Sequence, residues 1–149
     1  MNSASARVGG CYVLGGMAHR LYTPEEANRV LPEVRRLVER IVDLAPELPD
    51  MQETVRINEL KFKRPTSGEA ERERLAASVA GLRAAEMAVA VAMRSLEAMD
   101  VVLKDPVTGL VDFYSDRDGE VVMLCWRLGE ASVANWHRIE DGFRGRRPI

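Results

Sequence analysis

Side chains able to do chemistry are concentrated in the last third of the chain: Asp112, Cys125, Trp126, Arg127, Glu130, Trp136, His137, Glu140, Asp141 and Arg144. His137 is one of only 2 histidines. On a helix, Glu140 and Asp141 follow it at the spacings that let a carboxylate reach the ring. Such a set can hold a divalent metal ion or orient a general base. The metal candidates are therefore Glu130, His137, Glu140 and Asp141. A histidine that simply donates to a helix carboxylate would leave the same pattern. Asp112, Arg127, Glu130 and His137 form an overlapping ligand-binding set, because a guanidinium suits bidentate contact with a carboxylate or phosphate. Cys125 lies between Leu124 and Trp126 and reads as a packed thiol rather than a nucleophile. Trp126 and Trp136 read as core packing of the hairpin against a helix. Arg144, Arg146 and Arg147 form a basic C-terminal tip, read as a solvated tail. The chain contains no Gly-rich phosphate loop with Lys, no His-Glu-x-x-His pair and no Gly-x-Ser-x-Gly elbow. No residue is thereby marked as catalytic.

The elements that must position these groups can be traced from the start of the chain. Thr23-Pro24-Glu25-Glu26 is a helix start with a capping box. Ala27, Val30, Leu31, Val34, Leu37, Val38, Ile41 and Leu44 continue it as an apolar stripe. Pro32 falls inside and predicts a kink. Pro46 and Pro49 interrupt, and a more polar helix resumes from Asp50 to about Lys63. Pro65-Thr66-Ser67-Gly68 is a turn. Residues 69–103 then read as one long helix. Its seam runs Leu75, Val79, Leu82, Glu86, Val89, Met93, Leu96, Asp100, Leu103 in steps of four and three. Glu86 and Asp100 are acids on that seam, expected at its edge, paired with arginines of the first helix, or fixing the register. Such a helix measures roughly 50 Å, against a radius of gyration near ~15 Å for a chain of this size. That excess predicts a homo-oligomer assembled through the long helices.

Strands are expected at 109–114 and 120–128, joined by Asp116-Arg117-Asp118-Gly119. With that four-residue loop, Val111 and Phe113 share a face with Val122, Leu124 and Trp126. Asp112 and Tyr114 share the other with Met123, Cys125 and Arg127. Residues 19–22 can add a short edge strand. Ser132 is expected to cap a short final helix that runs to Asp141 and ends at Gly142.

Composition bounds the class. The 149 residues are 46% hydrophobic and 30% charged, which fits a globular chain rather than a disordered one. Lys and Arg total 21 against 23 Asp and Glu, a net charge of −2. A general nucleic-acid binder needs a basic surface, so nucleic acid is not expected as a partner. No uninterrupted apolar run approaches the roughly 20 residues of a membrane span, and a membrane is not expected either. Two cysteines cannot build a disulfide framework. With no secretory pattern at the start, a reduced, cytoplasmic setting is expected. Residues 1–18 read as a disordered tail or over-long translation start, and residues 19–149 as a single domain.

Several motifs resemble the bacterial domain-of-unknown-function family 2203. They are Tyr22-Thr23-Pro24-Glu25-Glu26-Ala27-Asn28 with Leu31-Pro32, then Lys104-Asp105, and Gly109-Leu110-Val111-Asp112-Phe113. The strongest is Leu124-Cys125-Trp126-Arg127-Leu128-Gly129-Glu130, followed by Trp136-His137 and Gly142-Phe143 through Arg146. The resemblance covers about residues 20–149. It implies a small cytoplasmic bacterial protein and carries no assigned activity, so it supplies no catalytic residue.

The sequence thus leads to an α+β chain: a long antiparallel helical hairpin with a C-terminal β-hairpin and a short terminal helix. The leading functional expectation is a binding or accessory protein with a polar C-terminal pocket for a small anionic ligand or a metal ion. The alternative is a metal-assisted hydrolase using His137 and Glu130. A divalent metal ion is the one cofactor this pattern of residues suggests.

Overall fold

In the computed structural model, residues 6–8 and 10–149 are described, with side chains from residue 10 onward. Helix α1 (Pro24–Leu44) begins at the expected capping box. Thr23 Oγ1 accepts from the Glu26 amide at 3.1 Å, and Glu26 Oε2 accepts from the Thr23 amide at 2.9 Å. Its buried stripe is Ala27, Leu31, Val34, Leu37, Val38 and Ile41, and it continues unbroken through Pro32. A 3₁₀ turn at Ala45–Glu47 follows, then α2 (Leu48–Phe62), which buries none of its residues. Helix α3 (Glu69–Ala98) packs on both α1 and α2 and buries Ala85, Val89, Ala92 and Leu96. The expected pair of long helices is thereby corrected to three α-helices, with the prolines around Leu48 dividing the first arm.

Helix α3 is also shorter than its seam suggested. Asp100 adopts a left-handed conformation, φ 59°, which no helix can propagate. Val101, Val102 and Leu103 then enter strand β4 (Val101–Asp105), where their branched side chains suit a pleated sheet. By length and composition α3 can cross a membrane, and 17% of its most apolar 18-residue window is buried. A search for unbroken apolar runs misses this because Arg83 and Glu86 divide the alanine-rich stretch.

A five-stranded antiparallel sheet is built in chain order from β4, β5 (Leu110–Arg117), β6 (Glu120–Arg127), β7 (Asn135–Arg138) and β8 (Arg147–Pro148). Strands β5 and β6 meet through a two-residue turn, Asp118 (φ 52°) and Gly119 (φ 90°). Both positive φ values match the twist of a tight hairpin. The four-residue loop expected from sequence is too long by two residues. An even shift keeps every side chain on its face, so Val111, Phe113, Val122, Leu124 and Trp126 do share the buried face. They form one core with the α1 stripe, Ala92 and Leu96. At the start of β5, Gly109 has φ 69°, and a Cβ there would lie 2.8 Å from Leu128 Cβ and from Val38 Cγ1. Only glycine lets α1 approach that turn.

The expected final helix is the clearest correction. Asn135–Arg138 is strand β7, paired with β6 as Met123↔His137 and Leu124↔Trp136. The buried backbone of β6 needs partners on both edges, and β7 supplies the second. The remainder of the segment is turn and a 3₁₀ turn at Phe143–Gly145.

Before α1, β1 (Ala6–Val8), β2 (Cys11–Leu14) and β3 (Met17–Arg20) form a separate three-stranded meander. Residues 6–8, 11–14 and 17–18 of the stretch read as a tail are therefore paired strand, and residues 1–5 and 9 lie outside the described residues. Tyr22 fastens the meander to the main body. Its amide donates to Tyr114 O at 2.7 Å, its carbonyl accepts from Ser115 Oγ at 2.6 Å, and its hydroxyl donates to Met99 O.

Candidate metal centre

The face of the main sheet turned away from the helical core carries the polar side chains. Strand alternation places Asp112 on β5, Cys125 on β6 and His137 on β7 together on it. Asp112 pairs directly opposite Cys125, and His137 opposite Met123. His137 then reaches across β6: its Nε2 lies 3.4 Å from Asp112 Oδ1 and 3.3 Å from Oδ2. Ligand-type atoms of Asp112, Cys125 and His137 all fall within 4.8 Å of one another. The three residues are 1%, 0% and 2% exposed.

The hydrogen bonds settle the ring's tautomer. His137 Nδ1 lies 2.7 Å from Arg138 O. A carbonyl oxygen only accepts, so Nδ1 carries hydrogen and donates. In the neutral ring Nε2 therefore turns its lone pair toward the Asp112 carboxyl. Burial raises the Asp112 carboxyl above its ordinary range, opposed in part by the His137 ring. Burial likewise pushes the Cys125 thiol up to about 11. A buried thiol of that kind is not a free thiolate nucleophile. Proton loss from both groups would be driven by a cation placed among them.

The other candidates are elsewhere. Glu130 accepts from the Arg127 amide at 3.0 Å and pairs with Arg146. It closes the turn after β6 and does not join His137. The Arg127 guanidinium is exposed over the Phe143 ring, 5.4 Å from its centroid. Glu140 and Asp141 are exposed on the turn after β7, because the strand carries them away from the ring rather than beside it. Of the proposed ligand set, only Asp112 and His137 meet. Arg146 is held by Glu130, Arg147 belongs to β8 beside Trp136, and Arg144 is exposed.

Neighbouring contacts hold the centre's scaffold. Trp126 Nε1 donates to Glu130 O at 3.0 Å, and Arg35 Nη2 donates to the same carbonyl at 3.1 Å. Asn28 clamps Val133 from α1, accepting its amide at 2.8 Å and donating to its carbonyl at 3.0 Å. These bonds fix the loop that returns the chain into β7.

The spacing of β5 and β6 already puts Cys125 on one face with Asp112, where it reads as a packed thiol; what the sequence does not show is the strand state of β7, which adds His137 to that face. A second pair was missed altogether. His19 Nδ1 lies 2.8 Å from Asp100 Oδ1, and the Arg20 amide donates to Asp100 Oδ2. Asp100 is thus neither on a helix seam nor paired with a first-helix arginine. The Tyr114 ring lies against His19, with centroids 4.5 Å apart.

Residues 20–149 match the family described as Uncharacterized conserved protein (DUF2203). No curated protein and no solved structure matches the chain.

Proposed function

The chain belongs to the DUF2203 family, and from that premise we propose that it is a non-enzymatic binding or accessory protein that holds a divalent metal ion at Asp112, Cys125 and His137. One observation carries the reading: three different ligand types, from three adjacent strands, converge within 4.8 Å in a buried place. A thiolate, an imidazole nitrogen and a carboxylate together suit zinc or a similar borderline-soft ion. The Arg138 carbonyl supports the reading as the outer partner that orients a ligating imidazole.

An anionic ligand is less well supported. Asp112 would repel it, and Arg146 is already engaged by Glu130. The hydrolase alternative needs an open coordination position and an approach for substrate. The near-complete burial of all three residues favours holding a metal over turning over a substrate. A reduced, cytoplasmic setting is part of the reading, since both Cys11 and Cys125 are free thiols.

The test is elemental analysis of protein purified without chelator or affinity tag, followed by zinc titration of the metal-free chain by calorimetry. About one equivalent is expected, with binding weakened at least tenfold in His137→Ala and Cys125→Ala. Absence of any stoichiometric metal, with zinc binding unchanged by either substitution, would overturn the proposal.

A further inference from the structure

A cavity of about 760 Å³ opens between β3, the end of α3 and β4. This is within the size range of small-molecule sites. Met17, Met93, Leu96, Val101 and Leu103 supply apolar wall; His19, Glu97 and Asp100 supply the polar groups. We propose that this cavity binds a small organic cation with an apolar body, an alkyl or aryl amine in chemical class.

Three features select positive charge. The lining carries two acidic side chains, Glu97 and Asp100, and no lysine or arginine. The C-terminal end of α3 forms one wall, and that end of a helix dipole favours cations. The third feature is the His19 ring. Asp100 is held as a double acceptor, by His19 Nδ1 and by the Arg20 amide. A carboxylate has no hydrogen to give, so Nδ1 is the donor. In the neutral ring Nε2 is left as an acceptor, which an ammonium N–H satisfies and a carboxylate ligand does not. Arg20, which could oppose this, is turned toward Glu26 and lies over the Tyr22 ring.

The site has a composite origin. Met17, Ala18 and His19 precede the segment matched by the family, whereas Glu97, Asp100 and β4 lie within it. The strand before the matched segment thus contributes one wall and the imidazole. The left-handed backbone at Asp100 (φ 59°) is what turns its carboxylate from the helix end toward β3.

The experiment is an amide-shift titration of the ¹⁵N-labelled full chain by NMR, following Ala98, Asp100 and Val102. The probes are hexylamine, hexanol and hexanoate, matched in apolar length. Hexylamine is expected to give saturable shifts at these amides, with hexanol at least threefold weaker and hexanoate without saturation. Glu97→Gln is expected to weaken hexylamine about tenfold while leaving the rest of the spectrum in place. His19→Phe, which keeps a ring against Tyr114, is expected to do the same. Equal binding of hexanoate and hexylamine would overturn the proposal, as would no saturable shift with hexylamine. Shifts at the same amides on raising protein concentration alone, with hexylamine inert, would also overturn it and assign the cavity to a second copy of the chain.

Discussion

The molecule contains two histidine–aspartate pairs, and they differ in everything but composition. His137 and Asp112 come from strands of one sheet and have side chains 3% and 2% exposed. His19 and Asp100 come from different layers, at a cavity, with side chains 17% and 26% exposed. The more exposed pair is also the closer, at 2.8 Å against 3.3 Å. Residue type therefore does not determine the chemistry available. The buried pair can share a proton or take an ion in place of one. The partly exposed pair has solvent and cavity on one side, and its free ring nitrogen can meet a ligand.

The two rings carry the largest difference. Removing one partner of a buried pair leaves the other uncompensated, so His137→Ala is expected to cost about 3–5 kcal/mol in metal-free protein. Removing one partner of the partly exposed pair costs less, and His19→Ala is expected to cost under about 1 kcal/mol. Urea denaturation measures both, and equal losses would erase the distinction.

Zinc sharpens the contrast next. At a free concentration near one hundred times its dissociation constant, a native-state ligand adds about 2.7 kcal/mol. Thermal unfolding with and without zinc should show that gain in wild-type and Cys11→Ala protein and lose it in Cys125→Ala. In the Cys11→Ala background a thiol reagent should label native Cys125 slowly, given its burial and raised thiol. Rapid labelling would contradict the buried assignment.

Acidity gives a smaller effect. Folded Asp112 binds its proton more tightly than the unfolded chain does, because burial raises it. Its contribution is most favourable below the unfolded carboxyl value of about 3.9 and is lost as pH rises through the higher folded value. Metal-free protein is thus expected to lose stability across that interval. Asp112→Asn should flatten the profile, read from urea midpoints at successive pH values. An unchanged slope would remove Asp112 as its source.

The least effect on either pair is expected from self-association through α3, whose Met87, Val91 and Met93 are 60%, 47% and 42% exposed. Light scattering at micromolar concentration should give a mass above that of one chain, reduced by Met87→Glu with Val91→Glu. A single-chain mass over a wide concentration range would exclude it. Met93 also lines the cavity, so association on that side would cover the exposed pair and leave the buried one untouched.

Local signals were legible where they involved one element. The capping box at Thr23, the α1 stripe and the two faces of β5 and β6 all follow from spacing within a few residues. What could not be read was long-range pairing. Asn135–Arg138 has too few residues to show a period, and its strand state depends on the open edge of β6. Placing it on a helix gives His137 the metal partners Glu140 and Asp141, which the strand carries away, whereas Asp112 of the ligand-binding set is the carboxylate it meets. Asp100 fitted a heptad step in register, yet its left-handed backbone ends the helix just before it. The His19 pairing joins residues 81 positions apart, and no local pattern announces that.

If the Asp112–Cys125–His137 cluster holds an ion, its burial would also govern time. An ion held on three adjacent strands cannot leave faster than those strands, or whatever covers them, open. Removal by a chelator would then proceed at a rate independent of chelator concentration, limited by local opening. Amide hydrogen exchange at Cys125 would report the same opening. Loading would be fastest during folding, before β7 closes on β6, so the occupancy of the site would record the metal available when each molecule folded.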